Sequence, residues 1–342
     1  MRALITASFE PACLRRLERH MSVVHEDWKR DRKIYFDGAE LAARIRAVEA
    51  DVLIVEADLV HAEVFSSCRL AMVGCCRGDP INIDRESATR LGIPIFFTPG
   101  RNADAVADLA LAFMLCLARH VFPVNQALKT GTMKFEHTED YLAMYERYTG
   151  RELGGATVGI VGLGWVGRAV AQRLRGFGAR LLAFDPYAGA LEGVGLADLP
   201  TLLRESDFLT VHCAATEATR GLIGAAELAM MKPEAYVLNL ARASVVDEDA
   251  LYEALRTGRL AGAALDVFGQ EPVQPDNRFV SLPNVLVMPH LGGATVDVVR
   301  HQSEMIVDSI EAYLAGKRPS HVWNPEVLGA DRPRSGGSGT IP

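Results

Sequence analysis

The sequence predicts an α/β protein built on two doubly wound parallel sheets. Three observations predict it. The length, 342 residues, is that of two ordinary domains sharing one chain. The first hundred residues alternate short apolar runs with helical patterns, the signature of a parallel sheet covered on both faces. A second run of the same kind, over 157–290, holds six apolar segments in series.

The elements follow in chain order. Strands are expected at Arg2–Thr6, Val23–Glu26, Val52–Glu56, Leu70–Cys75 and Ile93–Phe97, with helices including Pro11–His20 and Ala39–Val48 between them. After Thr98-Pro99-Gly100 comes Ala103 to Arg119, apolar on most faces, hence a buried helix and a candidate dimer element. Residues 121–150 carry no strand signal and are expected as a helical excursion that helps a partner subunit. The second domain's strands are expected at Val158–Val161, Leu181–Asp185, Phe208–His212, Tyr236–Leu240, Ala263–Val267 and Val285–Met288. Val298–Leu314 has apolar residues at helical spacing and ends before Gly316. From Asp331 the chain is Pro-, Gly- and Ser-rich, and disorder is expected over 326–342.

Composition narrows the classes. Apolar residues make up 49% and charged residues 23%, a globular balance. A net charge of -7 with no Lys/Arg stripe leaves no footprint for nucleic acid. No run of about 18 apolar residues is long enough to span a membrane. The start, MRALITASF, lacks the charged-then-apolar layout of a signal peptide. Six cysteines show no CxxC pair and no metal-like clustering with histidine; a reducing cytoplasm and no metal are the expectations, with Cys75 and Cys76 filling the core.

The most informative stretch is TVGIVGLGWVGRAVAQRLRGFGARLLAFDPY. An apolar strand runs directly into Gly162-Leu163-Gly164-Trp165-Val166-Gly167, which opens an amphipathic helix. Gly162 permits the tight turn, Gly164 lets the backbone approach a pyrophosphate, and Gly167 lets helix and strand pack closely. The helix N-terminus offers free N–H groups to phosphate oxygens. A second strand ends in Asp185, 18 residues after Gly167, placed to accept from the adenine ribose hydroxyls and to repel a 2′-phosphate. The expected cofactor is NAD.

Three further stretches lie at strand exits: YVLNLARASVVDEDAL with Arg242, GAALDVFGQEP with Asp266 and Glu271, and VLVMPHLGGAT with His290. Ligands of open α/β sheets bind beyond the carboxyl ends of the strands, so all three point to the edge of the glycine turn. Arg242 would hold a substrate carboxylate and polarise a keto oxygen, and His290 would exchange a proton there. Glu271 would favour the charged imidazole and raise its pKa toward working pH.

These motifs resemble those of the D-isomer-specific 2-hydroxyacid dehydrogenase family, across residues 1–320. NLARASVVDEDAL resembles its N-x-[AS]-R-G-x-x-[VI]-[DN]-E-x-A-L signature, and ALDVFGQEP and MPHLGGAT resemble two others. The resemblance implies a flavodoxin-like substrate domain, 1–99 plus 293–325, and an inserted Rossmann NAD-binding domain, 100–292. It implies Arg242, Glu271 and His290 as catalytic and Asp266 near the nicotinamide amide. Trp165 and Val166 would line the pyrophosphate turn, with His212, Ala214, Thr219, Ala241 and Gly292 along the cofactor. Dimerisation through the NAD domain is also implied, as is transfer of a hydride between nicotinamide and a small D-2-hydroxy or 2-keto acid.

Departures from the family pattern bear on the substrate. Ala243 replaces a usual glycine, and Ala214 stands where many relatives have proline. VGCCRGDPINID occupies the place of a glycine-rich loop whose N–H groups hold the substrate carboxylate. Within it Arg77, Gly78 and Asp79 are the candidate substrate residues, and Asp79 replaces a glycine. An acid there repels a carboxylate unless Arg77 pairs with it or its side chain turns away. The second reading, from a different class, is an NAD(H)-sensing regulatory or corepressor-like scaffold, separable by the effect of losing His290.

Overall fold

The computed structural model describes residues 1–329. The chain divides into two compact units, Met1–Arg101 with the stretch from Thr295, and Asn102–Ala294. Each crossing falls two residues later than the sequence suggests, for local reasons. Arg101 is tied to Glu56 and Gln302 of the first unit, and Thr295 caps its last helix by accepting from the Val298 N–H at 3.3 Å. Residues 326–329 also depart from expectation. Pro325–Leu328 forms a 3-10 turn, with Val327 buried and Glu326 paired to Arg85 at 2.5 Å. The remainder of the expected tail, from 330, lies outside the described residues.

The first unit holds β1 (Arg2–Ile5), β2 (Ser22–His25), β3 (Val52–Val55), β4 (Met72–Cys75) and β5 (Ile95–Phe97). They form one parallel sheet in the order β2-β1-β3-β4-β5, the flavodoxin order. Strand side chains alternate faces, and here both faces are covered. Leu4, Leu53 and Val55 enter one apolar cluster; Ala3, Ile5, Val52 and Ile54 enter the other. The helix Val296–Leu314 closes the second cluster with Ile306, Val307 and Ile310, all 0% exposed. Gly74 permits that closure, since a Cβ there would meet Ile306 Cγ2 at 3.1 Å.

The second unit holds β6 (Thr157–Val161), β7 (Arg180–Phe184), β8 (Val194–Leu196), β9 (Phe208–Val211), β10 (Tyr236–Asn239), β11 (Gly262–Leu265) and β12 (Val285–Val287). All pair in parallel, in the order β8-β7-β6-β9-β10-β11-β12. The order reverses between β6 and β9, the switch point at which doubly wound sheets take ligands. Alternation again fills two faces. Val158 and Ile160 pack with the helices Ala103–Ala118 and Trp165–Arg175, while Val161, Leu209 and Val211 pack on the other side. Seven strands stand where six were expected; β8 is a three-residue edge strand with no buried residue.

The excursion at 121–150 is helical, as expected: Val121–Lys129 and Thr138–Tyr148, neither with a buried residue. All six cysteines are free, and Cys75 and Cys76 are fully buried, as expected of core residues. Burial pushes the Cys75 thiol up to about 12. Among the described residues no single helix is long and apolar enough to cross a membrane.

One ionic knot ties the second sheet's strand starts together. Asp207, 9% exposed, accepts from the Thr157 N–H at 2.8 Å and from Lys232 Nζ at 3.0 Å, with Arg151 at 3.3 Å. Burial pushes its carboxyl up, but the two hydrogen bonds and the Arg151 charge reverse this and hold it below its ordinary 3.8. A depressed acid stabilises the fold above its unfolded value and loses that contribution as pH falls through the folded one. Asp207→Ala is therefore expected to cost about 1.5–3 kcal/mol at pH 7, and less below pH 4, by denaturant unfolding at both pH values. An equal cost at pH 7 and pH 3 would refute the ionic account.

Candidate active site

The cofactor end is built from strand exits. β6 is fully buried and leads into Gly162, whose φ of 93° lies in the left-handed region. A Cβ on Gly162 would stand 2.6 Å from the Cys213 N, and one on Gly167 2.0 Å from the Gly162 O. Gly164 is different: a Cβ there would meet nothing within 4 Å. The loop thus packs tightly behind and lies open in front. The helix Trp165–Arg175 starts from Gly164 without a side-chain cap, leaving its first N–H groups available to phosphate. Trp165 is exposed and Val166 half-buried at this start.

At the end of β7, Asp185 is already positioned. Its Oδ2 accepts from the Leu163 N–H at 2.7 Å, and its Oδ1 from the Tyr187 and Ala188 N–H groups at 2.9 and 3.1 Å. At the end of β9, His212 Nε2 meets Thr210 Oγ1 at 2.8 Å while its Nδ1 is buried without a partner. Burial pushes this imidazole down to about 3, so it is neutral. Thr219 donates to the Ala214 O at 2.6 Å, folding that turn. An open glycine turn, an uncapped helix start and an anchored acid fit a dinucleotide.

The chemistry end lies at the exits of β10, β11 and β12. Arg242 follows β10 with its side chain exposed, and its Nη1 donates to the Ala241 O at 2.7 Å. Asn239 fixes this exit: it accepts from the Ala241 N–H at 3.1 Å and donates to the Arg242 O at 3.0 Å. Sequence reasoning passed over Asn239, although its place two residues before Ala241 at a strand end was the available signal. Asp266, 2% exposed after β11, accepts from the Leu291 and Gly292 N–H groups, both at 2.8 Å. Burial pushes its carboxyl up, more than those two donors lower it.

His290 leaves β12 with a φ of 58°, an uncommon conformation for a side-chain-bearing residue. The Asp266 carboxylate grips the two residues after it. The His290 Nδ1 lies 2.7 Å from Glu271 Oε2, and Glu271 Oε1 accepts from the Phe268 N–H at 3.1 Å. A carboxylate only accepts, so Nδ1 carries the proton and faces it. Nε2 has no hydrogen-bond partner among the described residues, and the side chain is 48% exposed. Burial would push the Glu271 carboxyl up; the hydrogen bond to His290, the Phe268 N–H and the charges of His290 and Arg242 reverse this and hold it below its ordinary value. Arg242, Glu271, Asp266 and His290 are thus gathered at one edge.

The loop of the first unit stands by itself. Arg77 is half-buried, and its O accepts from the Thr98 N–H at 3.0 Å; Gly78 and Asp79 are exposed. Arg77 and Asp79 form no ion pair, so the expected pairing of the two is not found, and both remain without an ionic partner among the described residues.

A glycine turn at the switch point and a carboxylate-backed histidine at the same sheet edge define a nicotinamide-dependent oxidoreductase. Residues 111–292 match the family model described as D-isomer specific 2-hydroxyacid dehydrogenase, NAD binding domain. The chain is 36% identical to a glyoxylate reductase of Thermococcus litoralis over 86% of this chain and 88% of the relative. To a glyoxylate reductase of Korarchaeum cryptofilum it is 35% identical, over 91% and 94%. The solved structure of the TT0316 protein from Thermus thermophilus matches with a TM-score of 0.79 and 34% identity, over 94% of this chain and all of that one. The chain belongs to the D-isomer specific 2-hydroxyacid dehydrogenase family.

Proposed function

We propose that the protein reduces a small 2-keto acid to the D-2-hydroxy acid, and catalyses the reverse. The observation that carries this reading is the 2.7 Å Glu271–His290 pair with Nε2 free and exposed. Bound NADH supplies hydride to the carbonyl carbon. Arg242 holds the substrate carboxylate and polarises the keto oxygen. His290 Nε2 gives that oxygen its proton as charge develops on it, and takes a proton back in the oxidising direction. Glu271 at Nδ1 fixes the ring and stabilises the imidazolium.

The cofactor assignments stand on the same footing. Gly162, Gly164, Trp165 and Val166 cradle the pyrophosphate, and Asp185 takes the adenine ribose and favours NAD over NADP. His212, Ala214, Thr219, Ala241, Asp266 and Gly292 line the rest, with Asp266 toward the nicotinamide amide. Arg77, Gly78 and Asp79 are assigned to the substrate on the resemblance of their loop. Exposed apolar side chains on the 121–150 helices, Phe122, Leu128 and Leu142 among them, support a homodimer made through the NAD domain. Free thiols throughout are consistent with a reducing cytoplasm.

NADH oxidation across a panel of 2-keto acids tests the reading. Turnover of at least one is expected, and Glu271→Gln is expected to lower kcat about 10–100-fold, the worth of one charge-assisted hydrogen bond. No turnover of any keto acid, with NADH bound, would remove the proposal.

A further inference from the structure

Two hydrogen bonds on consecutive residues tie the glycine turn to the exit of β7. The Gly162 N–H donates to the Phe184 O at 2.9 Å, and the Leu163 N–H to Asp185 Oδ2 at 2.7 Å. Only the second is made by a side chain. In front the turn leans on nothing, since a Cβ on Gly164 would meet no atom within 4 Å. The helix that follows has no side-chain cap to fix its start. The Leu163 tie is therefore the last fixed point before the N–H groups that face phosphate.

The Asp185 carboxylate is also nearly filled. Its Oδ1 accepts from the Tyr187 and Ala188 N–H groups at 2.9 and 3.1 Å. With Leu163, three backbone donors occupy three of the roughly four acceptor positions a carboxylate offers. Room for about one ribose hydroxyl is left. An acid serving the ribose alone would keep those positions free for both of its hydroxyls.

We propose that Asp185 is a positioning residue for the phosphate turn: through the Leu163 N–H it sets where the cofactor's pyrophosphate is held. This rests on the dinucleotide reading above. Cofactor choice and turn geometry then depend on one carboxylate, and neutralising it does not turn the protein toward NADP. Asp185→Asn keeps an oxygen for Tyr187 and Ala188 but sets an amide N–H against the Leu163 N–H, donor against donor.

The test measures binding of NADH, NADPH and inorganic pyrophosphate to the full-length protein. Pyrophosphate is the decisive probe, because it carries no ribose. Removing a negative charge ordinarily strengthens anion binding. Asp185→Asn is nonetheless expected to weaken pyrophosphate about 10-fold, to weaken NADH at least as much, and to leave NADPH no tighter than native. Hydrogen exchange at the Leu163 amide should quicken in the same variant. Asp185→Glu keeps the charge and displaces the carboxylate by one methylene. It is expected to weaken pyrophosphate too, and it carries the test if the asparagine variant does not fold. Native affinity for pyrophosphate in the variant, or NADPH gained while NADH is lost, would confine Asp185 to the ribose and overturn the inference. So would a native protein that binds no pyrophosphate. If the native protein binds neither NADH nor NADPH, the dinucleotide reading fails, and pyrophosphate binding with exchange at Leu163 decides the role of Asp185 alone.

Discussion

His290→Gln is expected to lower kcat about 10²–10⁴-fold while leaving NADH affinity within a few-fold of native. The magnitude follows from what the glutamine lacks. It can keep a hydrogen bond toward Glu271, but it has no Nε2 that carries a transferable proton, so only proton transfer is lost. The backbone complicates the choice of variant, because residue 290 sits at φ 58°. Asparagine tolerates that conformation better than most residues, so His290→Asn separates loss of chemistry from strain. Both variants should lose turnover together, whatever their melting temperatures. Retained turnover in either would mean that another group moves the proton. A scaffold that only senses NAD(H) would keep its partner binding in both.

The second large effect is a contrast between two glycines three residues apart. Gly167→Ala puts a Cβ 2.0 Å from the Gly162 O and 3.3 Å from Ile160 Cγ2, neither the end of a long flexible chain. Helix and β6 must separate to admit it, at an expected cost of about 1–3 kcal/mol or more. The displaced turn should lose at least about 10-fold in NADH affinity, one good hydrogen bond to phosphate. Gly164→Ala meets nothing within 4 Å, so its melting should match the native protein. Its methyl group points into the open front of the turn, so NADH binding alone should weaken. Native NADH affinity in Gly164→Ala would show that the dinucleotide does not pass that face.

Most strands were legible because they are apolar runs buried along most of their length, and a run of that kind has no other home in a small α/β domain. β8 was not, because Val194–Leu196 lies at the sheet edge with two of its three residues exposed, and water removes the pattern that burial imposes. Within the site, Arg242, Glu271, Asp266 and His290 could be found because each sits in a distinctive local string. Their partners could not. That Asp185 holds the Leu163 N–H, or that Asn239 bridges Ala241 and Arg242, depends on distances across loops that no periodicity encodes. The state of Arg77 is of the same kind: a charge can be read from the sequence, but its lack of a partner cannot.

The helix Val296–Leu314 has a consequence for biosynthesis. It completes the apolar cluster against Ala3, Ile5, Val52 and Ile54, yet it leaves the ribosome only after all of Asn102–Ala294. At ordinary elongation rates that interval is roughly 10–40 s. For that time the first sheet is a half-covered template, while the inserted unit has every strand and helix it needs to close its own core. The inserted unit can therefore close its core first, and the second apolar cluster of the first unit is complete only once its long last helix has emerged.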